Sequence, residues 1–191
     1  MNDREAKAAS LLTRITFLRV VLVPIVMWLL LEGRHRAHAY GIAAALFAIA
    51  AATDFLDGFL ARRWRAATTL GSFLDTTADK LLVSGVLVAL VGAGRASPWI
   101  ATIIVARELL IMGLRGVVAA DGTVMRPSVL GKAKANVQFL AILLAILRAP
   151  DRLGPLYPDE WVMLVAAAVT VLSAVEYLAR FSGSIAGSRR R

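Results

Sequence analysis

Apolar residues run along this chain in six long blocks, at approximately Ile15–Leu31, His38–Leu60, Leu70–Val91, Pro98–Val118, Val129–Leu147 and Trp161–Leu178. Short polar or charged stretches separate them. Each block is close to the ~20 residues that a helix needs to cross a bilayer. Period-2 alternation is absent, so the pattern excludes a membrane β-barrel. Neither an internal repeat nor a low-complexity linker appears. The expectation is all-α: a polytopic membrane protein of six transmembrane helices forming a single domain over residues 1–191. Met1–Leu12 is charged and Ala-rich and reads as a short interfacial helix on the membrane surface. Ala37-His38-Ala39 mimics a signal-peptidase site, but acidic residues near the amino terminus and the length of the leader favour a retained first span. Arg189–Arg191 form a basic tail.

Composition agrees with that pattern. The chain has 191 residues, of which 59% are hydrophobic, more than the ~45–50% of a soluble domain. It has no cysteine, which excludes a disulfide framework and a thiolate metal site. The net charge is +9. No basic soluble domain exists to carry a nucleic-acid function, so the excess reads as loop positioning and attraction to anionic lipid. With the amino terminus cytoplasmic, the inner side receives Arg4, Lys7, Arg14, Arg62, Arg63, Arg65, Arg115, Arg126, Lys132, Lys134, Arg180 and Arg189–Arg191. The outer side receives Arg34, Arg36, Arg95, Arg148 and Arg152. Fourteen against five is a clear positive-inside bias. It places the protein in the cell membrane with the ends of blocks two and three facing the cytoplasm.

Four acids break the apolar pattern at those ends. On block two, Asp54, Asp57, Gly58, Ala61 and Arg62 share one broad helical face. On block three, Gly71, Asp75 and Asp79 follow i, i+4, i+8. Carboxylates this close repel one another unless a cation sits among them, and acids at the edge of a span are costly. Oxygen-only ligands suit Mg²⁺ or Mn²⁺. Gly58, Ala61 and Gly71 leave space for a ligand to approach, and Arg62 offers a fixed cation to phosphate oxygens. Such a grouping would serve a diphosphate donor. Intramembrane prenyltransferases also use Asp-rich pairs and a diphosphate, but their motifs lie far apart, whereas Asp57 and Asp75 are eighteen residues apart. A transporter would place its acids nearer the bilayer midplane.

Asp54-x-x-Asp57-Gly58-x-x-Ala61-Arg62, eight residues, then Gly71-x-x-x-Asp75-x-x-x-Asp79 resembles the signature of the CDP-alcohol phosphotransferase family. The likeness extends over roughly residues 11–181 through Leu18-Arg19-Val20 to Pro24, Ala106-Arg107-Glu108, Leu114-Arg115, Gly131-Lys132-Ala133-Lys134, Gln138 and Ser173-Ala-Val-Glu176-Tyr177. The sequence departs from the pattern at Thr13, where Asn is common, and at Thr76, where Pro is usual. The resemblance implies transfer of a phosphatidyl group from CDP-diacylglycerol to sn-glycerol 3-phosphate, releasing CMP, by a homodimer among membrane lipids. Other implied acceptors are an inositol phosphate or phosphatidylglycerol, the latter giving cardiolipin. It further implies two metal ions on Asp54, Asp57, Asp75 and Asp79, with Asp79 as general base. Gly58, Arg62, Thr68 and Gly71 would contact the CDP moiety, together with Thr13 and Thr16.

A phosphorylated acceptor needs cations of its own. Arg107 lies inside block four beside Glu108, and Arg115 is two turns further, about 12 Å along the helix. Lys132 and Lys134 open block five. These four are the candidates for the acceptor phosphate. The competing reading for Arg107 is a buried salt bridge with Glu108; for the lysines it is ordinary loop charge. Arg19 and Lys80 read as interfacial, with Lys80 balancing neighbouring aspartates. Glu176 and Arg180 read as a surface i,i+4 pair. Trp28, Trp99 and Trp161 fall near span ends, as aromatic belts do.

Overall fold

The computed structural model describes residues 3–33, 35–64, 69–120 and 129–188; the side chains of 3–12, 37, 54–64, 69, 70, 72, 120, 129, 132 and 183–188 lie outside that description. Six helices follow in chain order: α1 Asp3–Glu32, α2 Ala37–Trp64, α3 Thr69–Gly92, α4 Pro98–Ala120, α5 Val129–Leu147 and α6 Pro158–Ser188. Each contains one of the six apolar blocks. The amino-terminal segment differs from expectation. Asp3–Leu12 is continuous with the first span in one helix rather than a separate surface helix, since no Gly or Pro interrupts it.

Two helical stretches, Thr13–Glu32 and Pro158–Ser182, are long and apolar enough among the described residues to cross a membrane unaided. Shorter apolar stretches lie at His38–Thr53 of α2 and Ala133–Leu147 of α5. Helix α3 carries Asp75, Asp79 and Lys80 in its first half, and α4 carries Arg107, Glu108 and Arg115. The outward faces are apolar even so. Phe17 is 67% exposed and Trp99 80%, and Ile49, Val88, Leu109, Leu172 and Val175 are exposed as well. Exposed apolar surface of this extent marks faces that meet lipid or protein rather than water.

The helices group into two units, Met1–Arg95 and Ala96–Arg191. In the first, α1 packs against both α2 and α3. Val23, Val26 and Leu30 of α1, Ala43, Phe47 and Ala50 of α2, and Leu82, Val86 and Leu90 of α3 are buried. Their three- and four-residue spacing gives each helix one inward stripe. Gly85 fixes the distance between α1 and α3. A Cβ there would stand 2.8 Å from Val23 Cγ1 and 3.0 Å from Met27 Sδ, so the helices approach as small residues permit. At the other end of the unit the Tyr40 ring fills the space a side chain on Gly33 would take. The Arg95 guanidinium lies over that ring, 3.5 Å from its centroid.

In the second unit α6 packs against α4 and α5. Ile104, Ile111 and Val118 of α4, Ala141, Ile142 and Ile146 of α5, and Met163, Ala166 and Ala167 of α6 are buried. The α5–α6 turn is held by polar contacts. Arg148 ends α5 in a left-handed conformation (φ 40°) and donates through Nη2 to Asp159 Oδ2 at 3.1 Å. The Tyr157 backbone N–H donates to Glu160 Oε2 at 3.0 Å, half of a capping box at the start of α6. Trp161 Nε1 closes the turn by donating to the Leu153 carbonyl.

Candidate functional site

Helix α2 runs to Trp64 and so carries Asp54, Asp57, Gly58, Ala61 and Arg62 in its last turns. The side chains of these residues, Thr68 altogether, and the Lys132 side chain lie outside the described residues. Helix α3 begins at Thr69 and places Gly71, Asp75 and Asp79 on successive turns of its first half. Within the described residues the acid site is therefore its α3 side.

Each described acid is charge-compensated. Arg19 Nη1 donates to Asp75 Oδ1 at 3.1 Å, and Lys80 Nζ donates to Asp79 Oδ2 at 2.7 Å. Asp75 is 37% exposed at its side chain while Arg19 is 1% exposed. That corrects the interfacial reading of Arg19: it is sunk in the first unit and reaches across from α1 to α3. A guanidinium so far from solvent is costly without an acid to meet it. The one charge inside the apolar stretch Ile15–Leu31 was the available signal. Lys80 does balance its neighbour, as expected. Thr16 is buried one turn before Arg19, and Thr13 is half-buried. Both thus stand on the helix that supports Asp75.

The chemistry of the donor set fits a hard divalent cation. Asp75 and Asp79 are carboxylates one turn apart, part-exposed, and each meets an adjacent cation. Soft donors are absent from the sequence motif. Among the described residues no three metal-ligating side chains gather, a set that lacks the α2 pair.

The second unit holds a buried polar network. Arg107, Glu108, Lys134, Gln138, Thr170 and Ser173 are all buried. Glu108 Oε1 accepts from Lys134 Nζ and lies 3.5 Å from Arg107 Nη1. Arg107 Nη2 donates to Ser173 Oγ at 2.6 Å, and its guanidinium lies 5.5 Å from the Tyr177 ring centroid. Gln138 Nε2 donates to Thr170 Oγ1 at 2.8 Å. The salt bridge weighed for Arg107 is thus present. Lys134 is no loop charge, because α5 turns it inward onto the same acid. Arg115 is exposed, and Glu176–Arg180 form the expected surface pair at 2.5 Å. Ser173 and Tyr177 as partners of Arg107 were not foreseen. Their signal was the i, i+3, i+7 spacing of Thr170, Ser173 and Tyr177 on α6.

The model of the CDP-alcohol phosphatidyltransferase family matches residues 11–172, across both units. A *Bacillus subtilis* protein named CDP-diacylglycerol–glycerol-3-phosphate 3-phosphatidyltransferase is 36% identical over 184 residues, covering 90% of this chain and 94% of its own. A *Mycobacterium tuberculosis* protein named probable phosphatidylglycerophosphate synthase is 38% identical over 187 residues, covering 97% of this chain and 88% of its own. A *Salmonella paratyphi* A protein with the first of these names is 35% identical over 185 residues, covering 91% and 95%. The acids of α2 and α3, the all-helical architecture and a match over most of its length lead to one conclusion: the chain belongs to the CDP-alcohol phosphatidyltransferase family.

Proposed function

We propose that this protein is a phosphatidylglycerophosphate synthase, transferring a phosphatidyl group from CDP-diacylglycerol to sn-glycerol 3-phosphate and releasing CMP. The observation that carries this reading is the shared naming of relatives 35–38% identical over at least nine-tenths of the chain. Family membership sets aside the prenyltransferase and transporter readings. We further read the chain as one catalytic domain of six spans, dimeric, with its acids at the cytoplasmic face. The positive-inside bias and the apolar outward faces support that reading.

The donor is amphiphilic, so its diphosphate belongs at the interface and its acyl chains in lipid. Asp54, Asp57, Asp75 and Asp79 would hold two Mg²⁺ or Mn²⁺ ions, which when bound would neutralise diphosphate charge and favour departure of CMP. Arg19 would orient Asp75 through Oδ1. Gly58, Arg62, Thr68 and Gly71 would seat the CDP moiety, with Thr13 and Thr16 on the adjoining helix. Arg107, Arg115, Lys132 and Lys134 would take the acceptor phosphate. The acceptor hydroxyl oxygen bonds to the phosphatidyl phosphorus as the P–O bond to CMP breaks. Its proton passes to an Asp79 carboxylate oxygen. Positioning and charge neutralisation supply most of the rate in such transfers.

An acceptor screen tests the proposal. Purified protein, CDP-diacylglycerol and Mg²⁺ are incubated with glycerol 3-phosphate, glycerol, inositol phosphate or phosphatidylglycerol, and CMP release is followed. Glycerol 3-phosphate should be the preferred acceptor. Preference for any of the others would remove the synthase assignment and leave the family assignment standing.

A further inference from the structure

In the second unit two buried cations from different helices meet at one acid. Arg107 is 8% exposed, Lys134 4% and Glu108 2%, so two cations share one carboxylate within the described network. They also share one atom of it. Glu108 Oε1 accepts from Lys134 Nζ on α5 and faces Arg107 Nη1 at 3.5 Å on α4. Ser173 Oγ on α6 accepts from the other terminal nitrogen of Arg107, and Tyr177 flanks the guanidinium. Arg107 Nε is buried with no hydrogen-bond partner among the described residues. A buried guanidinium donor left without an acceptor in a water-poor interior is costly unless an anion joins it.

An apolar replacement would pack such an interior at less cost, so the network calls for another explanation. Arg and Lys have long side chains that lose rotamer freedom when they are fixed. If a ligand had to gather both heads from different helices, part of its binding energy would go into ordering them. Here Glu108 Oε1 draws both heads to one point.

We infer that Glu108 is the positioning residue of the acceptor-phosphate site, its Oε1 holding Arg107 and Lys134 together before the acceptor arrives. The inference rests on the synthase reading for the identity of the acceptor. It assigns Glu108 no contact with substrate; Glu108 acts through the two cations. The rival role is competition, in which Glu108 occupies cations that phosphate would otherwise take, so that its removal tightens acceptor binding.

Steady-state CMP release by the full-length protein separates these roles, with glycerol 3-phosphate and CDP-diacylglycerol varied in turn. Glu108→Ala should raise the glycerol 3-phosphate KM by about 10-fold, the lower range for a charged hydrogen bond, and leave the CDP-diacylglycerol KM little changed. Glu108→Gln keeps an acceptor oxygen in place and should give a smaller rise in the same KM. In a Lys134→Met background the Glu108→Gln effect should largely disappear, because one of the two positioned groups is gone. An unchanged or lowered acceptor KM in Glu108→Ala overturns the inference, even if the variant melts earlier. Should Glu108→Ala not fold, an unchanged or lowered KM in Glu108→Gln overturns it equally. A wild type that used only unphosphorylated alcohols would overturn both this inference and the synthase reading. A wild type that used glycerol 3-phosphate with these variants silent would overturn the inference alone.

Discussion

Arg19 and Asp79 show how single residues divide the work at the acids of α3. Asp79 meets Lys80 on its own helix, and we assign it the acceptor proton. Asp79→Asn keeps the shape but accepts no proton, so turnover should fall by at least about 10²-fold, the usual loss for a general base. Donor binding should survive better in this variant than in Asp57→Asn. Near-normal turnover in Asp79→Asn would remove the base assignment. Arg19 stands on α1, 56 positions from its acid. Arg19→Ala removes a charged hydrogen bond, worth about 1.5–3 kcal/mol, and the packing of a buried side chain. The melting temperature in detergent should drop, and activity with it, because Asp75 loses the donor that orients it. A variant with unaltered melting and turnover would show the contact to be idle. The four acids were legible in the sequence because charges in register along apolar helices have few structural explanations. Arg19 was not. Its sequence neighbourhood is that of any charge near a span end, and only the α1–α3 packing reveals its partner.

At the scale of the helix, the apolar blocks located all six elements, since each block exceeds the length at which helix and strand are confused. Contacts between helices were less legible. Periodicity tells which residues share a face, but not which face of another helix they meet. Loop charge was therefore open as the competing reading of Lys134, although α5 turns it inward to Glu108. Arg148 read as an outer-loop charge, although it ends α5 and binds Asp159 at the start of α6. Gly85 makes the packing testable. Gly85→Val would push a branched side chain into Val23 and Met27 of α1, an overpacking worth about 1–3 kcal/mol. As α1 carries Arg19 and α3 carries Asp75, the same displacement should disturb their 3.1 Å contact and lower activity. Gly41 is the control, because a Cβ there meets nothing within 4 Å. Gly41→Ala in α2 should be neutral or slightly stabilising, since Ala favours helix over Gly. Equal melting of the two variants would show that Gly85 does not set the α1–α3 distance.

For the molecule as a whole, charge decides both what the protein needs and how it lies in the membrane. Four acids serving one diphosphate should make CMP release strictly dependent on a divalent cation: EDTA should abolish it and Mg²⁺ or Mn²⁺ restore it. Undiminished turnover in chelator would refute the metal reading. Orientation follows from the lysines and arginines, fourteen on one side against five on the other. Crossing the bilayer with the larger group would be the costlier choice, so the orientation we propose puts the amino terminus, Arg63–Arg65, Arg126 and the carboxyl tail in the cytoplasm. The absence of native cysteine makes the test clean, because each introduced thiol is the only reactive one. Arg65→Cys and Arg126→Cys should resist a membrane-impermeant maleimide in intact cells and react after permeabilisation. Arg36→Cys and Arg152→Cys should react from outside. Outside at 36, inside at 65 and 126, and outside at 152 is the order that one span, then two, then one between these positions require. Labelling of Arg65→Cys in intact cells would invert the orientation and place the acids where cytoplasmic substrates cannot reach them.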